Sequence, residues 1–299
     1  MCAMDRLRVG LVGGGPWART VHAPGLAAHP GTELAAVWTR RPEVAAELAA
    51  EHGARCYPDL EILFDAVDAV AFAVPPAVQS RLALFAAAAG KHLICEQPLA
   101  ATVREARAVV DAVERAGVHS TLVLTMRHAP GVREWLDEIP AGPAGPDTVA
   151  SARWLSGAML GGPHRASPWR AEHGALCDVG PHVLDLLDAA VGPVAEVPWA
   201  WHEEPDLWRF GLLHSGGARS TVTLSTQLPV DPSEIEFTVF GGAGRHRIAG
   251  HGADAPTCYA ALLDELVAAV DGSGPPPALD VRRGLHLQEL VEAVRFAAA

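Results

Sequence analysis

The sequence contains no uninterrupted apolar run long enough to cross a membrane. A membrane-spanning helix needs about 20 consecutive apolar residues, and none of the apolar stretches here reaches that length. The N-terminal segment MCAMDRLRVG also lacks the apolar core of a secretory signal. We therefore expect a soluble protein of the cytoplasm.

Lysine is nearly absent as well. Of the 23 basic residues only Lys91 is a lysine, which together with many Ala, Gly, Pro and Arg residues indicates a GC-rich coding sequence. The formal net charge of −12 and the lack of a basic stripe disfavour binding to nucleic acid or to an anionic membrane. The expected partner is instead a small-molecule substrate.

The five cysteines are odd in number and show no C-x-x-C spacing. A disulfide framework and a cysteine zinc site are therefore not expected, and a reducing compartment fits best. His164, His173 and His182 form no H-x-x-x-H pair with matching ligands, so we expect no metal site.

A glycine-rich turn follows the first apolar run of the chain. The run Leu7–Val12 leads into Gly13-Gly14-Gly15-Pro16-Trp17-Ala18, which reads G-x-G-x-x-A. Such a turn brings backbone N–H groups against a pyrophosphate and lets a helix pack closely on a strand. The same pattern also occurs in a plain turn between strand and helix, so both interpretations stay open on this motif alone.

Strands alternate with helices over about residues 6–125, which predicts a doubly wound parallel sheet. We predict strands at Leu7–Val12, Glu33–Trp38, Asp68–Val74, His92–Cys95 and Val118–Thr125. Between them we predict helices at Glu43–His52, Leu60–Phe64, Val78–Ala89 and from Thr102, as a capping residue with Glu105, to about Ala116.

The pattern changes beyond Arg127, where strand candidates follow one another and suit an antiparallel sheet. They are Thr148–Leu155, Glu196–Trp201, Trp208–His214, Ser220–Gln227 and Glu234–Phe240, followed by late helices at Thr257–Val270 and Val281–Ala298. We predict an α/β protein with an N-terminal dinucleotide-binding domain at 1–125 and an α+β domain at 126–299, whose last helix packs on either domain.

The end of the second predicted strand carries Thr39, Arg40 and Arg41 in place of a carboxylate. In a β-α-β nucleotide-binding unit this position lies beside the adenosine ribose, where an acidic residue selects NAD. A hydroxyl and guanidinium groups suit a 2′-phosphate instead, so we favour NADP over the alternative of a solvated charged loop.

The segment from Asp178 to Asp185 reads D-x-G-x-H-x-x-D. On one helix Asp178 and His182 would be i,i+4 neighbours, so that the carboxylate could orient an imidazole that transfers a proton. The alternative is that Asp178 is an N-cap, because Pro181 is tolerated only in the first turn of a helix, and that His182 is a core histidine.

Taken together, these blocks resemble the Gfo/Idh/MocA family of NAD(P)-dependent oxidoreductases. The resemblance rests on VGGGPWARTVHAPGL at 12–26, DAVAFAVPP at 68–76, AAAGKHLICEQPLA at 87–100, the segment 178–185 and the tail pattern 259–270. It implies a Rossmann domain followed by a domain with an open, mainly antiparallel sheet that often forms oligomer contacts. A homo-oligomer, dimer or tetramer, is therefore expected, with the nicotinamide between the domains.

The resemblance also implies roles for individual residues. The cofactor phosphates would be contacted by Gly13, Gly15 and Trp17, the ribose phosphate by Thr39, Arg40 and Arg41, the nicotinamide side by Pro75 and Pro76, and the nicotinamide ribose by Glu96. Arg127 would lie near the nicotinamide or the substrate. The substrate would be contacted by Gln97, Trp169, Arg170, Asp178 and His182, of which Gln97, Asp178 and His182 would be catalytic.

One position departs from the family pattern. The E-K-P motif usually carries a lysine that assists proton transfer, but this chain has Glu96-Gln97-Pro98. A GC-rich coding sequence replaces lysine chiefly with arginine, so composition does not explain Gln97. An amide can still donate a hydrogen bond to a carbonyl, but it supplies no positive charge.

Three functions are compatible with these residues. The first is NADP(H)-dependent hydride transfer to or from a keto-sugar or cyclic polyol, with His182 as general acid–base. The second is reduction of an imine or iminium, whose own positive charge would lessen the need for a lysine. The third is a catalytically idle NADP-binding sensor or scaffold.

Overall fold

The computed structural model describes residues 6–142, 144–161, 165 and 167–299. The chain forms two units, of which the first comprises the residues up to Thr125 together with Ala255–His286. The second comprises Met126–Asp254 and Leu287–Ala299. No helix in the described ranges combines the length and apolarity needed to cross a membrane.

A six-stranded sheet, parallel throughout, forms the centre of the first unit. Its strands are β1 (Leu7–Val12), β2 (Thr32–Trp38), β3 (Arg55–Cys56), β4 (Ala69–Phe72), β5 (His92–Cys95) and β6 (Ser120–Leu122). The spatial order β3-β2-β1-β4-β5-β6 is that of dinucleotide-binding folds. The predicted doubly wound parallel sheet is confirmed, and the two-residue β3 is an addition to it.

Helices connect these strands. They are α1 (Ala23–Ala28), preceded by a π-helical turn at Ala18–His22, then α2 (Pro42–His52), α3 (Leu60–Asp65), α4 (Pro76–Ala88) and α5 (Val103–Ala116). Thr102 caps α5 as predicted, since its hydroxyl accepts a hydrogen bond from the N–H of Glu105 at 3.2 Å. The Glu105 carboxylate bonds the N–H of Ala101 rather than that of Thr102.

Helix α9 (Ala255–Val270) belongs to the first unit, although we predicted its residues within a domain spanning 126–299. Tyr259, Leu262 and Leu266 of this helix are fully buried in one apolar cluster with residues of β1 and α1. The late segment therefore completes the core of the Rossmann unit. Helix α10 spans Val281–Ala297.

A mixed sheet with the order β12-β11-β7-β10-β9-β8 forms the second unit. Its strands are β7 (Val149–Leu155), β8 (Val194–Glu203), β9 (Leu207–His214), β10 (Arg219–Ser225), β11 (Glu234–Gly241) and β12 (Gly244–Ala249). Only the pair of β7 and β10 is parallel among these neighbours. The mainly antiparallel sheet is confirmed. Strand β12 escaped prediction because its sequence, GRHRIA, is mostly polar and lies at the edge of the sheet.

Helices α6 (Pro130–Asp137), α7 (Pro168–Asp178) and α8 (Gly180–Val191) also belong to the second unit. The prediction of one helix carrying both Asp178 and His182 is wrong, because α7 ends at Asp178 and α8 begins at Gly180. Pro181 lies in the first turn of α8, where its missing N–H costs no helical hydrogen bond. Val179 is the N-cap of α8, so Asp178 does not have that role either.

Candidate functional site

The first two glycines of the turn after β1 are required by packing inside the protein. Gly13 has φ +132, and a Cβ there would lie 2.3 Å from the carbonyl oxygen of Ala73. Its N–H donates to the Trp38 carbonyl at 3.0 Å. A Cβ on Gly14 would lie 2.7 Å from a methyl group of Val44. Side chains are therefore excluded at both positions by the neighbouring strand and helix.

Gly15 differs, because a Cβ there would meet no described atom within 4 Å. The absence of a side chain at Gly15 therefore leaves open space on the surface of the turn. In the pattern G-x-G-x-x-A, Gly15 is the second glycine that the pattern specifies, the one that allows the backbone to approach the pyrophosphate. The turn thus fits a dinucleotide at the position where the motif requires it.

At the end of β2, Thr39 has a structural role in the turn, whereas the charged side chains of Arg40 and Arg41 do not. The Thr39 hydroxyl donates to the carbonyl of Arg41 at 2.6 Å and accepts from the N–H of Arg41 at 3.1 Å, so it shapes the turn. Arg40 and Arg41 are exposed. Neither guanidinium has a hydrogen-bond or ion-pair partner within the part of the chain that the structure describes. Both can therefore bind an anionic ligand.

Glu96, at the end of β5, is held by residues that are remote in sequence. Its Oε1 accepts from Trp17 Nε1 at 2.8 Å and lies 2.7 Å from His22 Nε2. His22 is fully buried, and its Nδ1 lies 2.8 Å from the hydroxyl of Tyr259. We predicted a phosphate contact for Trp17, whereas its indole N–H bonds Glu96. Sequence reasoning missed His22 and Tyr259, although both lie in the blocks that carry the family resemblance.

Gln79, a further residue that we did not predict, fixes the loop of Glu96 and Gln97. It is fully buried, and its Nε2 donates to the carbonyls of Glu96 at 2.7 Å and Leu99 at 3.1 Å. Its Oε1 accepts from the N–H of Glu96 at 2.8 Å. Pro75 caps α4 and Pro76 begins it, so the predicted proline pair starts the helix that carries Gln79. No sequence pattern marks a buried glutamine of this kind.

In the second unit Asp178 pairs with Arg170. The Arg170 Nε donates to Asp178 Oδ1 at 2.9 Å, which joins two of the predicted substrate residues. The Trp169 ring stacks on His173 with centroids 5.2 Å apart. Asp178 was predicted to orient His182, but the partner seen at this carboxylate oxygen is the guanidinium of Arg170.

A buried carboxylate supports a break within α7. Gly174 has φ +63, and a Cβ there would lie 2.3 Å from Asp206 Oδ1. That same oxygen accepts from the N–H of Ala175 at 2.7 Å, and the other accepts from the N–H and hydroxyl of Thr226 at 2.8 and 2.6 Å. Asp206 thus caps the second half of α7, which ends in Asp178.

His182 lies in the first turn of α8 among aromatic rings. Its ring centroid is 5.9 Å from that of Trp154, which in turn meets His251 edge to face at 5.3 Å. Burial, with a smaller contribution from the neighbouring His251, lowers the pKa of His182 to about 4. The imidazole is therefore neutral at pH 7, because burial disfavours its protonated form.

Arg127 contacts the last residue of the D-x-G-x-H-x-x-D segment. Its NH1 donates to Asp185 Oδ2 at 3.2 Å, and the Asp185 side chain is almost fully buried. This ion pair compensates the buried charge on α8. Arg127 was predicted near the nicotinamide or the substrate, and the structure gives it this ion pair in the second unit.

No group of three or more His, Cys, Asp or Glu residues suited to a metal ion occurs within the described ranges. His164, considered in the sequence analysis, lies outside the described residues.

Substitution of the two glycines should separate packing from ligand binding. Gly13→Ala should destabilise the cofactor-free protein by about 2–4 kcal/mol, because the new Cβ meets a backbone oxygen at an unfavourable φ. Gly15→Ala should leave thermal unfolding unchanged but weaken dinucleotide binding about tenfold or more, because its Cβ enters the open space. Calorimetry measures both quantities. Normal dinucleotide affinity of Gly15→Ala would contradict the placement of the pyrophosphate.

His182 should become protonated at a much lower pH than an ordinary histidine. Because its pKa is lowered, the ring should stay neutral as the pH falls through about 6.5 and take up a proton only near pH 4. The ring resonances, assigned by their loss in His182→Asn, can be titrated by NMR. A midpoint near 6.5 would show that the imidazole is solvated.

The chain is similar in sequence to known oxidoreductases. Residues 7–123 match the model of the Gfo/Idh/MocA oxidoreductase family with its NAD-binding Rossmann fold. Levoglucosan dehydrogenase of Pseudarthrobacter phenanthrenivorans is 31% identical over 256 residues, which cover 79% of this chain and 64% of that protein. The match thus spans slightly less than two thirds of that relative.

Two further proteins are similar along the chain. The rhizopine catabolism protein MocA of Rhizobium meliloti is 29% identical over 78% of this chain and 67% of its own length. The WlbA dehydrogenase from Bordetella pertussis, solved in complex with NADH and UDP-GlcNAcA, superimposes with a TM-score of 0.86 at 24% identity and covers 98% of this chain and 97% of its own. The family match and the shared fold lead to one conclusion: residues 7–123 of this chain form an NAD-binding Rossmann domain of the Gfo/Idh/MocA oxidoreductase family.

Proposed function

We propose that this protein is an NADP(H)-dependent oxidoreductase that transfers a hydride to or from a small polar carbonyl or alcohol, a keto-sugar or cyclic polyol. The observation that carries the proposal is the buried, neutral imidazole of His182 in the first turn of α8, which follows Asp178 of the Arg170–Asp178 pair closely in the chain. The name of levoglucosan dehydrogenase supports a carbohydrate as the substrate class.

In the proposed reaction, the cofactor and the side chains of the chain have different roles. The nicotinamide supplies the hydride chemistry when it is bound. The neutral imidazole of His182 accepts the hydroxyl proton as the C–H bond of an alcohol loses its hydride, and it returns that proton to the oxygen in the reduction direction. Asp178, its charge balanced by Arg170, orients substrate hydroxyl groups. Gln97 donates an amide hydrogen bond to the carbonyl oxygen.

The proposed preference for NADP(H) rests on Arg40 and Arg41. Their guanidinium groups are exposed, lie directly after β2, and follow a turn that the Thr39 hydroxyl already closes. A 2′-phosphate would form charge-assisted hydrogen bonds with them. The WlbA complex contains NADH, so the difference between the two cofactors has to be measured for this chain.

Arginine replacement should therefore act on one cofactor only. Arg40→Ala and Arg41→Ala should each weaken NADPH binding about tenfold, because a charge-assisted hydrogen bond contributes about 1.5–3 kcal/mol. NADH binding should change little. Arg55→Ala is the matched control, since Arg55 is also exposed but lies on the edge strand β3. Wild-type protein that binds NADH as tightly as NADPH would contradict the proposal.

A second function, reduction of an imine or iminium, is favoured by one observation. Gln97 stands where the family carries a lysine, and its loop is fixed by Gln79. A neutral amide avoids placing a positive charge next to a cationic substrate. A carbonyl substrate would instead gain from a positive charge at this position, because it stabilises the developing alkoxide.

Gln97→Lys should therefore distinguish the two functions. With a carbonyl or alcohol substrate the variant should keep or raise kcat, and with an iminium substrate it should lower kcat, most strongly below the pKa of the new lysine. The assay follows the nicotinamide absorbance with a panel of sugars, polyols and imines.

His182→Asn should lower kcat by about 10²–10⁴-fold with NADPH affinity unchanged. Tight NADPH binding without turnover of any substrate would support a sensor instead.

We also propose that the protein is a homo-oligomer. The strand register places Trp199, Trp201, Val149 and Phe240 on one face of the second sheet. Each of these side chains is about half exposed, between 46% and 52%. Large apolar side chains gathered on one sheet face are typical of a contact surface. A second copy of this chain is the proposed partner.

A further inference from the structure

A buried chain of hydrogen bonds connects Tyr259 to Glu96 through His22. The three links are Tyr259 hydroxyl to His22 Nδ1 at 2.8 Å, His22 Nε2 to Glu96 Oε1 at 2.7 Å, and Trp17 Nε1 to the same oxygen at 2.8 Å. Tyr259 and His22 are fully buried. Water therefore cannot replace a missing partner at little cost.

For a neutral imidazole, the chemistry of these atoms fixes the direction of every bond. An indole N–H can only donate, and a carboxylate oxygen can only accept. In a neutral imidazole Nε2 therefore carries the proton towards Glu96, Nδ1 is the acceptor, and the Tyr259 hydroxyl donates to it. The phenol thus selects the tautomer in which His22 can bind the carboxylate.

The fold also reserves space for the phenol ring. A Cβ on Gly25 would lie 2.5 Å from Cδ1 of Tyr259, so only a glycine allows the ring its place. Further along the chain, Gln79 holds the backbone of Glu96 through both its N–H and its carbonyl. With the backbone fixed, the torsions of the Glu96 side chain depend on Trp17 and His22.

We propose that Tyr259 and His22 are positioning residues: the Tyr259 hydroxyl orients His22, and His22 binds Oε1 of Glu96 and thereby presents the second oxygen, Oε2, to a hydroxyl of the nicotinamide ribose. This inference rests on the proposed function, because it takes Glu96 to contact the ribose of the bound nicotinamide, as the family resemblance implies. Without the Tyr259 hydroxyl, His22 can adopt the other tautomer, whose Nε2 lone pair repels Oε1. The carboxylate then loses one of its two donors and its fixed orientation.

The first test uses the protein without cofactor. Tyr259→Phe keeps the ring against Gly25 and removes only the hydroxyl. The indole N–H resonance of Trp17, assigned by its loss in Trp17→Phe, should shift in Tyr259→Phe because both donors share Oε1. Tyr57→Phe, at the other tyrosine of the chain, is the matched control and should leave this resonance in place. An unchanged Trp17 resonance in Tyr259→Phe would overturn the proposal.

The tautomer of His22 can be measured in the wild-type protein, without any variant. The ¹⁵N shifts of His22 should report a protonated Nε2 and an unprotonated Nδ1. The opposite tautomer would overturn the proposal, because His22 could not then donate to Glu96.

The second test asks whether Tyr259 acts through Glu96. Tyr259→Phe should weaken NADPH binding about tenfold, which corresponds to about 1.4 kcal/mol, in the wild-type background. In Glu96→Gln the same substitution should have an effect of less than about twofold. Equal losses in both backgrounds would show that Tyr259 only supports the core and would overturn the proposal.

The two tests distinguish a failure of this inference from a failure of the proposed function on which it rests. If Glu96→Gln binds NADPH normally, the ribose contact proposed for Glu96 is wrong, and the inferred presentation of Oε2 falls with it. The NMR tests still decide whether Tyr259 and His22 hold Oε1, because they require no cofactor. If Glu96→Gln weakens NADPH binding and Tyr259→Phe does not, the proposed function stands and the positioning role is overturned.

Discussion

The Rossmann unit depends on a single carboxylate oxygen at which three distant parts of the chain meet. Oε1 of Glu96 joins the end of β5 to the turn after β1 through Trp17 and His22, and His22 joins it to α9 through Tyr259. This arrangement is costly to disrupt, because His22 and Tyr259 are fully buried and a buried polar group left without its partner pays its desolvation penalty. The late helix is therefore tied to the nucleotide-binding end of the sheet by chemistry as well as by apolar packing.

The second unit uses a carboxylate in the same way. Asp206 occupies the space that a Cβ on Gly174 would fill, and it bonds the buried backbone N–H of Ala175 where α7 breaks. The break separates Arg170, in the first part of α7, from Asp178, at its end, and His182 follows in the first turn of α8. In both units a glycine without a side chain makes room for a buried polar group from elsewhere in the chain.

The sequence predicted most of the elements, because apolar periodicity and capping residues are local signals. Leu7–Val12 and His92–Cys95 were predicted to the residue, and Gly117 ended α5 as expected. The break between Asp178 and Gly180 was predicted only as an alternative: Pro181 indicated a helix start there, but the N-cap expected in that case was Asp178 and not Val179. Gln79 and Asp206 could not be predicted, because their partners are backbone groups that only the tertiary fold brings near them.

The turn after β2 has a consequence for how cofactor preference can evolve. The Thr39 hydroxyl closes that turn with bonds to the backbone of Arg41 alone, and the two arginine side chains contribute nothing to it. Backbone shape and ligand charge are thus encoded by different atoms. Under the proposed function, other side chains at positions 40 and 41 would change the preferred dinucleotide while the hydrogen bonds that shape the turn stay in place.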